Sequence, residues 1–265
     1  MNDQRPIGIF DSGVGGLTVF SEVEKALPRE EIVYFGDTAR VPYGTKSKET
    51  VTRFSVENIE FLMKHNVKLV LVACNTASSL SLGFLKRCFR VPIIGVIEPG
   101  AKMAVNSTRN NKIGVIGTSA TISSGAYERA IKKISSRMSV FSRSCPLFVP
   151  LVEEGWNAGF IAGKIASVYL GALKNKNIDT LILGCTHYPL LKSVIRKVMG
   201  DKISLVDSAQ GVAKEAKSIL AASGLMNETP GRKKHKFFVS DEPEHFMRLS
   251  ERFLRRRTKC VKKAA

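Results

Sequence analysis

Leu69-Val70-Leu71-Val72-Ala73-Cys74-Asn75-Thr76 is a short apolar run that stops at a cysteine followed by two small polar residues. Leu181-Ile182-Leu183-Gly184-Cys185-Thr186-His187 repeats that pattern, with its cysteine 111 positions later. Each run is rich in branched aliphatics, lacks polar alternation and is too short to span a membrane. Each therefore reads as a strand buried on both faces of a parallel sheet. Ligands of such sheets bind beyond the carboxyl ends of the strands, where both cysteines fall. Two cysteines in equivalent places point to two matched chemical groups facing one substrate.

Outward from these runs the chain repeats itself. Ile7-Gly8-Ile9-Phe10 reads as a first strand closed by the turn Asp11-Ser12-Gly13-Val14-Gly15-Gly16, and Leu17, Phe20, Val23 and Leu27 continue at helical spacing up to Pro28. Residues 31–35 read as a second strand, 36–44 as a loop and 47–64 as a helix. A helix follows Cys74 as far as Cys88, and residues 93–97 read as a fourth strand ending at Glu98-Pro99-Gly100. The pattern then restarts: residues 113–118 overlay 7–12 at an offset of 106. Residues 148–153 are matched to the second strand at an offset of 116, and 203–207 to the fourth at 109. Four strand ends in one order, repeated at about 110 residues, predict a duplicated unit.

The expectation is an α/β protein of two pseudo-symmetric lobes. Each is a parallel sheet of about four strands flanked by helices, with the active site in the cleft between them. One lobe takes residues 1–98 plus 208–265 and the other 99–207. Residues 236–240 read as an extra strand and 243–257 as a helix, both packing back on the first lobe, with the last residues frayed.

Composition narrows the function. The chain has 265 residues, 44% hydrophobic and 24% charged, as a soluble globular protein does. No apolar signal core opens it and no apolar run reaches membrane-spanning length, so the cytoplasm is the expected compartment. Its five cysteines are odd in number and irregularly spaced, unlike a secreted disulfide framework, and Cys88, Cys145 and Cys260 lack polar company. The net charge is +18, and residues 232–265 hold 12 Lys/Arg against 4 Asp/Glu. No aromatic-interleaved basic patch or helix-turn-helix pattern accompanies that charge, which leaves nucleic acid as a secondary partner only. Cys185-Thr186-His187 is half of a metal pattern at most, and Gly13-Val14-Gly15-Gly16 lacks both phosphate-loop spacings. Asp11 would also repel a pyrophosphate there. Neither a metal nor a nucleotide cofactor is expected.

Two like acid/base groups on opposite faces of one carbon are what inversion by proton exchange requires. One thiolate removes the Cα proton and the opposite thiol returns a proton to the other face. A free cysteine has a pKa of about 8.5, so each needs a polar partner. Asp11 is the candidate beside Cys74, and His187 beside Cys185. Asp37 and Glu153, read as lying at matching strand ends, are candidate carboxylates orienting those partners. Ser12, Asn75, Thr76, Thr118, Thr121 and Thr186, with the backbone N–H groups of Tyr43-Gly44, are receptors for a substrate carboxylate and ammonium. Two carboxylate receptors suit a dicarboxylic amino acid.

Assembled, these residues resemble the cofactor-independent glutamate racemases. The likeness runs through residues 7–18 and 34–44, then Ala73-Cys74-Asn75-Thr76-Ala77-Ser78 and Gly117-Thr118-Ser119-Ala120-Thr121, and ends in Pro150-Leu151-Val152-Glu153-Glu154-Gly155 and Gly184-Cys185-Thr186-His187-Tyr188-Pro189. The resemblance implies conversion of L-glutamate to D-glutamate for peptidoglycan in a bacterial cytoplasm, without pyridoxal phosphate or metal, and commonly as a homodimer. It implies that Cys185 takes the proton from L-glutamate and Cys74 from the D-isomer, with Asp11, Glu153 and His187 assisting and Asp37 more peripheral. Substrate contacts carry over to Asp11, Ser12, Tyr43, Gly44, Asn75, Thr76, Thr186 and His187, with Thr118 and Thr121 added. The nearest rival is a member of the same architecture acting on aspartate. From another class, a basic nucleic-acid-binding protein remains an alternative.

Overall fold

The two cysteine-terminated strands lie inside two separate all-parallel sheets. The computed structural model describes residues 2–231, 234–258 and 260–264; the tail's Arg232, Lys233, Lys259 and Ala265 lie outside them. The chain opens with β1 (Ile7–Asp11), α1 (Leu17–Ala26), β2 (Ile32–Gly36), α2 (Lys48–Met63), β3 (Leu69–Val72), α3 (Asn75–Cys88) and β4 (Ile93–Gly95). Next come α4 (Ile97–Ser107), β5 (Lys112–Gly117), α5 (Ser119–Ser123), α6 (Ala126–Ile134), β6 (Ser139–Ser144), α7 (Phe148–Glu153) and α8 (Gly159–Lys174). Then follow β7 (Thr180–Gly184), α9 (Lys192–Met199), β8 (Ser204–Val206), α10 (Ala209–Ala222), β9 (Lys236–Val239), α11 (Pro243–Leu254) and β10 (Val261–Lys263).

The first sheet has the order β10-β9-β2-β1-β3-β4 and the second β6-β5-β7-β8. Stripped of its two tail strands, the first sheet repeats the order of the second, so the duplication read from the sequence is present as topology. The order reverses between β1 and β3, and again between β5 and β7, which opens a crevice at the carboxyl ends of those strands. Ile7 and Ile9 face one apolar core and Phe10 faces the other, as the two-residue period of a strand requires. The first core continues into the second sheet without a break, because α10 packs on both α1 and α4. A buried ion pair, Lys68 to Glu30 at 2.7 Å, closes the opposite ends of the first sheet's strands.

The structure corrects three expectations. Residues 148–153 form helix α7 and not a strand; the strand answering β2 is β6. The six residues of β6 carry only half-buried or exposed side chains, because β6 is an edge strand, so it has no apolar run to announce it. Phe148, Leu151 and Val152 are buried at helical spacing, and Pro150 is accommodated within the first turn. Glu153 therefore stands at a helix end and not at a strand end. The fourth strand stops at Gly95, and residues 97–107, left unassigned after Glu98-Pro99-Gly100, form α4 with Ile97, Ala101 and Ala104 buried. The first sheet has six strands, the expected four and the extra one at 236–240, which is β9, among them. Its sixth, β10, occupies part of the tail expected to fray, paired in parallel with β9.

Candidate active site

Both cysteines and most of their polar neighbours are delivered by turns at the carboxyl ends of inner strands, while Glu153 comes from the end of α7. β1 ends in Asp11, with Ser12 next. β3 ends just before Cys74, which caps α3: its sulfur accepts a hydrogen bond from the Ala77 amide at 3.5 Å. β5 ends before Thr118, whose hydroxyl caps α5 by accepting from the Thr121 amide at 3.2 Å. β7 ends before Cys185-Thr186-His187, which turns into the 3-10 segment Tyr188–Leu191. Polar residues cap helices here because the first amides of a helix need acceptors. The same residues are thereby aimed into the crevice.

They enclose one cavity of about 370 Å³. Ser12, Tyr43, Gly44, Cys74, Asn75, Thr76, Thr118, Glu153, Cys185, Thr186 and His187 all line it. Cys74 enters from the first sheet and Cys185 from the second. Thr76 and Thr118 meet across the lobes at 2.9 Å, and Thr121 joins them at 2.9 Å to Thr118 and 3.3 Å to Thr76. Asn75 accepts a hydrogen bond from the Tyr127 hydroxyl at 2.7 Å, which fixes its amide.

The two sulfurs have different surroundings. His187 Nδ1 lies 3.9 Å from Cys185 Sγ, and Nε2 lies 2.9 Å from Glu153 Oε1. Burial alone would lower the His187 pKa, but the Cys185 and Glu153 contacts outweigh it and raise it to about 10. The free protein thus holds a cation against the Cys185 sulfur at neutral pH. Cys74 donates to Ser12 Oγ at 3.7 Å. Burial first, and then the nearby Asp11 carboxylate, push its thiol up to about 12, against the pull of the Ala77 amide and Ser12. Cys74 is a protonated thiol. The sulfur on one side of the cavity faces an imidazole and the sulfur on the other a hydroxyl.

Asp11 and Asp37 stand behind the cavity wall. Asp11 is wholly buried; burial raises its pKa, against the His187 charge and amide donors that include Gly13 at 3.0 Å. Its Oδ1 has no hydrogen-bond partner among the described residues. Asp37 binds the Tyr43 hydroxyl and receives Arg40 Nε at 2.7 Å, and Asn58 Nδ2 donates to the same Tyr43 hydroxyl at 3.1 Å. This buried network holds the loop that presents the Tyr43-Gly44 backbone to the cavity. Gly15 is required by close approach: a Cβ there would lie 2.3 Å from Thr186 Oγ1 and 2.5 Å from His187 Nδ1.

The sequence reading omitted Val41, Pro42, Thr45, Ser119, Pro146, Val149 and Pro150, which also line the cavity. Most are apolar or proline residues that carry no chemistry of their own, and the mistaken strand at 148–153 hid the last two. Among the described residues there is no group of three or more His, Cys, Asp or Glu able to hold a metal ion. No helix among them is long and apolar enough to cross a membrane.

The site can be set beside known proteins. The sequence model of the Asp/Glu/hydantoin racemase family matches residues 7–216. The chain is 53% identical over 250 residues to the glutamate racemase of Geobacter metallireducens, covering 94% of this chain and 93% of that one. Its fold matches the crystal structure of a glutamate racemase isoform from Bacillus anthracis with a TM-score of 0.96 at 40% identity, covering 100% and 98% of the two chains. It also matches the glutamate racemase of Francisella tularensis in complex with D-glutamate, with a TM-score of 0.93 at 39% identity, covering 99% and 98%.

Proposed function

The chain belongs to the Asp/Glu/hydantoin racemase family and is an isomerase, and from that premise we propose that it interconverts L- and D-glutamate by two-cysteine proton transfer. The observation that carries the mechanism is the pair of sulfurs lining one cavity from equivalent strand ends of two sheets. Cys185, facing the His187 imidazolium, removes the Cα proton of L-glutamate as a thiolate. Cys74, held as a thiol, returns a proton to the opposite face. In the reverse direction the groups exchange roles, and Asp11, buried with one carboxylate oxygen unpartnered among the described residues, assists Cys74.

The carbanion between these steps gathers charge on the substrate carboxylate. The first amides of α3 and the hydroxyls of Ser12, Thr76 and Thr118 supply donors for that charge in a site shielded from bulk water. Thr121 steadies the other two threonines, Asn75 and Thr186 offer further polar contacts, and the Tyr43-Gly44 backbone receives the second carboxylate. Asp37 acts at one remove, by fixing Tyr43. The lobes take residues 1–98 plus 208–265 and 99–207. The enzyme works in a bacterial cytoplasm as a homodimer, supplying D-glutamate for peptidoglycan.

Racemisation in heavy water without added cofactor tests the reading. Early in the reaction from L-glutamate, the D-glutamate formed carries deuterium at Cα while the remaining L-isomer does not, since each face is served by its own group. Equal early labelling of both isomers would indicate a single base, and no labelling would remove the enzymatic reading. The same assay with L-aspartate separates this activity from the aspartate alternative.

A further inference from the structure

Two side chains of α11 reach from the first sheet onto the His187–Glu153 pair of the second. The Phe253 ring meets the His187 ring edge to face, with centroids 5.4 Å apart and planes at 88°. The Arg252 guanidinium donates to the Glu153 carbonyl oxygen and, at 3.4 Å, to that of Val152. It also lies flush against Gly155, where φ is +82° and a Cβ would come within 3.1 Å of the guanidinium carbon. α11 is itself anchored on the first sheet, with Phe246 5.8 Å from the Tyr34 ring. Both contacts come from residues beyond 216, where the family match ends.

We propose that α11 sets the base on the Cys185 side, Phe253 fixing the plane of the His187 imidazole and Arg252 fixing the end of α7 from which Glu153 reaches it. This rests on the racemase reading above. An imidazole bound at both nitrogens can still tilt about the line joining its partners, and a ring packed perpendicular to it removes that freedom. Phe253 is buried, so it also keeps water off the imidazolium and strengthens its hold on the Cys185 sulfur. α7 has only six residues, and its end is closed by amides of the following turn, the Gly155 N–H donating to the Val152 carbonyl at 3.1 Å. A guanidinium donating to the Glu153 carbonyl and adding to the Val152 one ties that turn to α11 and complements its partial negative charge. Neither residue lines the substrate cavity, so both are positioning residues.

The test uses the full-length protein with Phe253→Leu, Arg252→Met and, as conservative control, Arg252→Lys. Primary isotope effects on kcat/KM are measured with L- and D-glutamate deuterated at Cα. In a stepwise two-base inversion, each enantiomer's isotope effect reports how far removal of its own proton limits the rate. Loosening the Cys185 side makes proton removal from L-glutamate dominate. The isotope effect with L-glutamate then rises and that with D-glutamate falls, in the direction of Cys185→Ser, while kcat/KM drops by about tenfold. Arg252→Lys recovers most of the loss. A purely structural fault would lower the active fraction and leave both isotope effects where they were. The proposal is overturned by isotope effects that stay put or move together, or by Arg252→Lys behaving as badly as Arg252→Met. Wild-type protein that places no deuterium at Cα overturns both readings; a racemising wild type with unmoved isotope effects in the variants overturns this one alone.

Discussion

His187 carries the clearest pH signature. Its ordinary pKa is 6.5 and its folded value is about 10, held up by the Cys185 and Glu153 contacts against the opposing effect of burial. The folded state therefore binds this proton more tightly than the unfolded chain does. The resulting stability is fully present below pH 6.5 and is lost as pH rises through about 10. Glu153→Gln removes one of the two raising contacts, so the folded pKa must fall. The alkaline limb of the kcat/KM profile should then move to lower pH, and the pH-dependent part of the unfolding free energy should shrink between pH 6.5 and 10. A pH–rate profile and urea melts across that window check both, and an alkaline limb that does not move would detach Glu153 from His187. Cys74, Cys185 and their polar neighbours could be picked out from the sequence because each follows an apolar run directly. Phe253 could not, since a phenylalanine on a distant amphipathic helix looks like any other core residue until the fold brings it to His187.

Elements were legible in proportion to how fully they are buried. β1, β3, β5 and β7 lie inside their sheets, take apolar side chains on both faces and read as uninterrupted runs. β6 and β10 are edge strands with polar sequences, so β6 was displaced onto the apolar helix α7 and β10 was read as fraying. Pro99 and Pro150 both sit in the first turn of a helix, where the missing amide is unneeded. β10 makes a test of how much the tail does. Among the described residues it pairs with β9 alone, supported by the Ala264 amide on Val239 O at 2.8 Å and an exposed Lys263–Asp241 ion pair at 2.7 Å. Deleting residues 260–265 should cost about 1–2 kcal/mol, a fall in Tm of roughly 2–8 °C, with kcat/KM within about twofold because α11 is retained. Thermal melts and a circular-dichroism racemase assay read the two effects separately. A collapse of activity without a matching loss of stability would make the tail part of the site.

At the scale of the molecule, the surface of α8 is the feature the monomer leaves unexplained. The helix turns its small or aliphatic residues Ala162, Ala166, Leu170 and Leu173 inward, while Phe160 and Val168 are 85% and 65% exposed on the opposite face. Trp156 and Ile161 extend the patch at 57% and 50% exposure. Isolated apolar side chains on a surface need no explanation, but several along one helix mark a candidate contact surface, here with the exposed Lys164 between Phe160 and Val168. The homodimer proposal gives this face an occupant, a second copy packing α8 against α8 about a twofold axis. Such an interface is self-complementary by symmetry. Burying one large side chain contributes about 1.5–3 kcal/mol, so these residues are where an introduced charge would weaken association most. Phe160→Lys with Val168→Lys places like charges where the copies would meet and should convert a dimeric wild type into a monomer by light scattering, with the far-ultraviolet spectrum unchanged. An unaltered dimer mass would move the interface to another face, and a monomeric wild type would end the dimer proposal. Racemase activity measured on the resulting monomer then shows whether each two-lobed chain completes its own cavity, as the enclosure of both sulfurs by residues of one chain requires.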